Sequence, residues 1–115
     1  MNYYSLNHKA PNTTFKDAVV KGLAPDKGLY FPENITPLPA SFFKNIDHLS
    51  YNDIAFEALQ QFVSPDIPKD VLKTIIAETL SFEFPVVKLN DNISTLELFH
   101  GPTMAFKDVG ARFMA

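Results

Sequence analysis

Proline placement constrains this 115-residue chain more than any other feature of its sequence. Pro65 ends one helical stripe of apolar residues, Pro68 opens a second, and Pro85 opens a β section. The first stripe is Ile54, Ala55, Ala58, Leu59 and Phe62, and Ser50 with Asp53 carries the signature of a capped start. The second is Val71, Leu72, Ile75, Ile76 and Leu80. Pro68 suits the first turn of that helix, where its missing N–H would have no partner. After Pro85, Val86-Val87-Lys88-Leu89 and the run Ile93 to Phe99 flank Asn90-Asp91-Asn92, which predicts a hairpin.

The N-terminal part reads as shorter pieces. Thr14 and Asp17 predict a capped helix carrying Phe15, Ala18 and Val19, with Gly22 as its stop. Leu23 to Gly28 is a turn in which Gly28 accepts a positive φ. Leu29-Tyr30-Phe31 is a brief strand ended by Pro32, and Tyr3-Tyr4-Ser5 is its candidate partner. Pro32 to Ser50 predicts irregular backbone with one helical turn near Ser41-Phe42-Phe43. At the other end, Thr103 is expected to cap a final helix with Val109, Phe113 and Met114 on its apolar side. The fold class is therefore α+β, helices with a few short strands.

Composition narrows the function. Apolar residues are 46% of the chain and 11 are Phe, enough for a packed core. There is no cysteine, which excludes disulfides, a thiolate nucleophile and thiolate-bound zinc. The formal charge of −3, with acids and bases interspersed, leaves no basic face for nucleic acid. No apolar run approaches the ~18 residues of a membrane helix. The first residues lack the pattern of a secretory signal, so a cytoplasmic protein is expected. His8, His48 and His100 lie far apart and predict no metal site. The 4 glycines are isolated and form no phosphate cradle. From the residues alone Lys107 is an ordinary solvated lysine. Its expected place at the start of a helix following a strand disfavours an ammonium, and the neutral amine is the form that attacks a carbonyl.

The run Glu97-Leu98-Phe99-His100-Gly101-Pro102-Thr103-Met104-Ala105-Phe106-Lys107-Asp108-Val109-Gly110-Ala111-Arg112-Phe113 resembles the cofactor-lysine motif of threonine synthases. The stretch Val20 to Glu33, with Gly22-Leu23-Ala24-Pro25-Asp26-Lys27-Gly28-Leu29-Tyr30, is similar to a second block of that family, and Leu49 to Ala55 to a third. Two positions depart from the pattern. Ser5-Leu6-Asn7-His8 stands where the family often has Ser-Thr-Arg-Gly, so no anion-binding role of that arginine carries over. Lys27 stands where the family usually has a glycine.

The resemblance implies a pyridoxal-phosphate (PLP) enzyme that converts O-phospho-L-homoserine and water to L-threonine and phosphate. It implies that Lys107 holds PLP through its amine and then serves as a base, and that Phe106 is an apolar wall beside the PLP ring. Residue type alone leaves ordinary core packing open for Phe106. Residues 1–84 would be the N-terminal α+β domain of a fold-type II PLP enzyme, and 85–115 the start of its PLP-binding domain, cut short. In the family the glycine-rich phosphate loop and the group facing the pyridine nitrogen come later. This chain alone is thus expected to be inactive and to hold PLP weakly at best, and its last helix to associate with another copy or stay disordered. Two rivals remain, another PLP lyase or dehydratase of the same fold and a non-catalytic binding relative. The long Phe-His-Gly-Pro-Thr lead argues against the first.

Overall fold

Hydroxyl side chains start two of the helices in the computed structural model, which describes residues 1–115. Thr14 Oγ1 accepts the Asp17 N–H at 3.1 Å to begin α1, Phe15–Lys21. Ser50 Oγ accepts the Asp53 N–H at 3.1 Å and donates to Asp53 Oδ2 at 2.6 Å to begin α3, Tyr51–Val63. Such caps satisfy N–H groups that lack intrahelical partners, each contributing about 1 kcal/mol. Gly22 ends α1 with φ 70° and ψ −50°, and the Leu23 N–H reaches Lys21 O at 2.8 Å. That is a three-residue turn of a kind strained for any residue with a Cβ.

Met1–Leu72 forms one compact unit and Lys73–Ala115 a second. In the first, β1 (Tyr3–Ser5) pairs antiparallel with β2 (Tyr30–Pro32), placing Tyr3 opposite Pro32, Tyr4 opposite Phe31 and Ser5 opposite Tyr30. Tyr3 also bridges to Thr13. Its hydroxyl donates to Phe62 O at 2.8 Å, and its ring lies 6.0 Å from that of Phe15. Burial, with the Asp66 carboxylate adding to it, pushes the Tyr3 phenol above its ordinary pKa. Tyr3, Ala18, Ala24, Val63 and Leu72 are the buried apolar residues of this unit. The stretch predicted to hold one helical turn holds two pieces, α2 (Ala40–Lys44) and a 3-10 turn over Ile46–His48. The peptide bond Ser64–Pro65 is cis.

The turn after α1 corrects the reading of its glycine. The positive φ falls on Lys27, at 66°, and not on Gly28. Gly28 is required for space. A Cβ there would fall on Ser5 Oγ and lie 3.0 Å from Asn7 N and 3.1 Å from Asp26 Oδ1. These atoms belong to one clasp. Ser5 Oγ donates to Asp26 Oδ1 at 2.6 Å, Gly28 N–H to the same oxygen at 3.0 Å, and Lys9 N–H to Asp26 Oδ2 at 2.9 Å. The Ser5 hydroxyl above all holds the Asp26 carboxyl below the usual carboxylate range; burial opposes it and the Gly28 and Lys9 N–H groups support it.

The helix α4, Lys69–Thr79, begins in the first unit and ends in the second. It buries Leu72 and Ile76 as expected, but Val71, predicted on the same face, is 44% exposed. In the second unit β3 (Val86–Asn90) and β4 (Ile93–Leu96) form the expected hairpin, with a register shift between Lys88 and Asn90. Lys88 Nζ reaches Asp91 Oδ1 at 2.7 Å, and Asn90 Oδ1 accepts the Asn92 N–H at 3.0 Å, tightening the turn. The strand β4 stops at Leu96, short of the predicted Phe99. Every residue of both strands is exposed. The last helix, α5, spans Asp108–Met114. No helix is long and apolar enough to cross a membrane.

Candidate functional site

The segment from Glu97 to Lys107 joins β4 to α5 through successive tight turns. Met104 N–H donates to Gly101 O at 3.0 Å and Asp108 N–H to Ala105 O at 3.0 Å. These bonds reach back three residues, so the backbone turns without yet being α-helical. The helix therefore begins later than predicted, and Thr103 does not cap it. Lys107 is the residue at its start, with φ −76° and ψ −8°, and its carbonyl accepts the Ala111 N–H at 2.9 Å.

Thr103, expected to cap the helix, is instead bound by Asp108. The Asp108 side chain folds back onto the preceding turn. Asp108 Oδ2 accepts the Thr103 N–H at 2.9 Å, and Asp108 Oδ1 accepts the Thr103 hydroxyl in a short hydrogen bond. Gly101 lies against the same carboxylate. A Cβ on Gly101 would overlap Asp108 Oδ2 and stand 2.8 Å from the Asp108 Cβ. Asp108 is 5% exposed, so its charge is buried with these partners. The Thr103 hydroxyl is the main reason that the Asp108 carboxyl lies below its usual range. Burial opposes it, and the Thr103 and Ala105 N–H groups and the Arg112 charge add to it.

Between these locked neighbours Lys107 is exposed. Its Nζ lies 5.9 Å from the centre of the Phe106 ring, a cation–π contact of about 0.5–1 kcal/mol at an exposed site. Phe106 is 67% exposed, so within this chain it is not a core residue. An accessible amine beside an open aromatic face suits the aldehyde end of a planar aromatic cofactor. The beginning of α5 carries the Asp108 carboxylate, an anion that repels a phosphate. Arg112 anchors the far side of α5, donating to Glu78 O at 2.5 Å and Ser81 Oγ at 3.2 Å. A cleft of about 490 Å³ there is lined by Ile75, Glu78, Thr79, Arg112 and Phe113; neither Lys107 nor Phe106 lines it. On the apolar side predicted for α5, Val109 and Phe113 are half-buried and Met114 is exposed.

One pair escaped the sequence reading. His100 Nε2 and Glu97 Oε2 are 2.7 Å apart, and the His100 ring stacks on Phe99 at 4.8 Å. The signal was an acid three residues before a histidine. No group of three or more His, Asp or Glu side chains is gathered as a metal site.

A family model described as the threonine synthase N terminus matches residues 2–80. The threonine synthase of Serratia marcescens is 39% identical over 118 residues, covering 100% of this chain and 27% of that protein. That of Escherichia coli (strain K12) is 33% identical over 115 residues, again covering 100% of this chain and 27% of the relative. The crystal structure of Escherichia coli threonine synthase superposes with a TM-score of 0.91 at 32% identity, covering 99% of this chain and 27% of that one. A PLP-bound threonine synthase from Brucella melitensis gives 0.88 at 36% identity, covering 99% of this chain and 26% of that one. The chain thus spans about a quarter of the length of the relatives it matches.

Proposed function

We propose that this chain, which belongs to the threonine synthase family through its N-terminal region, contributes the cofactor lysine, Lys107, to an enzyme converting O-phospho-L-homoserine and water to L-threonine and phosphate. The observation that carries this reading is the exposed Lys107 amine on a backbone fixed from both sides, at the centre of the motif Glu97 to Phe113. PLP, when bound, supplies the electron sink for proton removal at the substrate Cα and Cβ. Lys107 would hold the cofactor through Nζ, and its amine, when neutral, would carry protons at those carbons. Phe106, whose open ring lies beside the Lys107 amine, would form an apolar wall along the cofactor ring and exclude water from that side.

Residues 85–115 then begin the cofactor domain and 1–84 form the N-terminal domain. The phosphate cradle and the partner of the pyridine nitrogen come from the part of the relatives that this chain does not span. By itself the chain is inactive and binds PLP weakly, because cofactor catalysis depends on fixed orientation. An enzyme of this biosynthetic chemistry belongs in the cytoplasm.

The test is Lys107→Ala in the complete enzyme. Turnover of phosphohomoserine is expected to fall by at least roughly 100-fold with the fold retained by far-ultraviolet circular dichroism. Turnover close to that of the unaltered enzyme would overturn the assignment.

A further inference from the structure

We infer that Gly101, Thr103 and Asp108 form a positioning clasp that sets the direction in which the Lys107 side chain leaves the backbone. The inference rests on the reading of Lys107 as the cofactor lysine and adds the device that aims it.

Three observations carry it. Asp108, the residue directly after Lys107, sends its carboxylate back to the Thr103 N–H and hydroxyl, closing a ring of backbone over residues 103–108. Gly101 leaves room for that carboxylate, which any Cβ there would displace. Within the ring Met104 holds φ 56° while 77% exposed. A left-handed conformation at a non-glycine residue costs on the order of 1–2 kcal/mol and persists only where its surroundings over-determine it. Exposed Met104 gains little from packing, so the ring closure is what maintains it.

The geometry separates root from tip. The backbone at the Lys107 side-chain root is pinned through Asp108 N–H to Ala105 O at 3.0 Å and Ala111 N–H to Lys107 O at 2.9 Å. The tip, Nζ, is held by no hydrogen bond or ion pair and rests 5.9 Å from the Phe106 ring centre. A lysine that must hold a cofactor and later move protons needs a fixed root and a free tip. Asp108 is the nearest carboxylate in sequence, yet both its oxygens are taken up by Thr103 and none is turned to the lysine. These are positioning residues, acting on the cofactor only through Lys107.

The experiment uses the complete PLP-loaded enzyme and reads, after desalting, the absorption band of lysine-bound PLP and its visible circular dichroism, which reports how rigidly the chromophore is held. Thr103→Val and Asp108→Asn are expected to keep a stoichiometric band while losing at least about half of the dichroic amplitude per bound PLP. They should lower kcat by roughly 10- to 100-fold with little change in KM, the range a misplaced reacting group gives. Thr103→Ser, which keeps the hydroxyl, restores both. Gly101→Ala keeps both hydrogen-bonding side chains and reaches the same loss by pushing the carboxylate aside. It decides the matter if either of the first two variants fails to fold. Unchanged dichroism and kcat in the folded variants overturn the clasp. A band that persists in Lys107→Ala overturns instead the assignment of the lysine, so the two failures are told apart.

Discussion

Asp26 and Asp108 make the same set of interactions in the two compact units, and the surroundings give them different work. Each carboxylate accepts one hydroxyl, from Ser5 or Thr103, and at least one backbone N–H. Each lies beside a glycine with no room for a Cβ, Gly28 or Gly101. The Asp26 clasp joins positions 21 apart in sequence and fastens the turn after α1 to strand β1, where Ser5 is fully buried. The Asp108 clasp joins positions 5 apart and is flanked by exposed Met104, Phe106 and Lys107. A long-range clasp closes part of a fold. A short one cannot add much to global stability, since little chain is constrained by it, and what it fixes is local direction.

Glycine substitution presses hardest on that contrast. Gly28→Ala is expected to cost about 1–3 kcal/mol, because the new methyl meets Ser5 Oγ inside a packed strand as well as backbone at Asn7 N. Gly101→Ala also drives its methyl against the Asp108 carboxylate and Cβ, yet should cost less in global stability, since the clasp it opens closes only a five-residue stretch. Urea unfolding of both variants measures the difference, and equal losses would erase the distinction between the two clasps.

A smaller effect comes from Lys27, which holds φ 66° next to the Asp26 clasp. Lys27→Gly relieves the left-handed strain but loosens the unfolded chain, leaving a net gain on the order of 0.5–1 kcal/mol. A midpoint lowered by this change would show that Lys27 is held by contacts of its side chain and not merely tolerated.

The smallest effect is in acid. Both carboxyls have folded-state pKa values below their unfolded ones. Their contributions are therefore present above the unfolded carboxylate value of about 3.9 and are lost as pH falls through the lower folded values. Asp26→Asn should flatten the stability profile in that window more than Asp108→Asn does, as read from urea midpoints at stepwise lower pH. The reverse order would assign the global role to the local clasp.

The sequence made the local rules visible and concealed the spatial ones. The Thr14 and Ser50 caps, the Gly22 stop and the hairpin around Asp91 were legible because each depends on residues within a few positions of one another. The need for Gly28 was assigned to φ when it lies in the nearness of Ser5, a partner brought by strand pairing. Thr103 was read as a cap because threonine after a glycine and a proline so often is one. Its real partner lies five residues on, outside the capping spacing of three. Of the candidate site, the identity of Lys107 and Phe106 came from the motif. Their exposure and the ring that fixes the lysine root needed coordinates.

The hairpin Val86–Leu96 has a consequence for handling the chain at high concentration. Val86, Leu89, Ile93 and Leu96 are each more than half exposed, and the two strands leave both outer edges unpaired. A two-stranded sheet of β-branched and leucine residues with open edges is a template on which further strands add, and Lys88 is the one basic charge set within it to repel them. That ammonium is paired with Asp91 Oδ1 at 2.7 Å, so the hairpin carries no net charge of its own. With no net charge on the hairpin to oppose it, rising concentration favours stacking of hairpin on hairpin over the dispersed state.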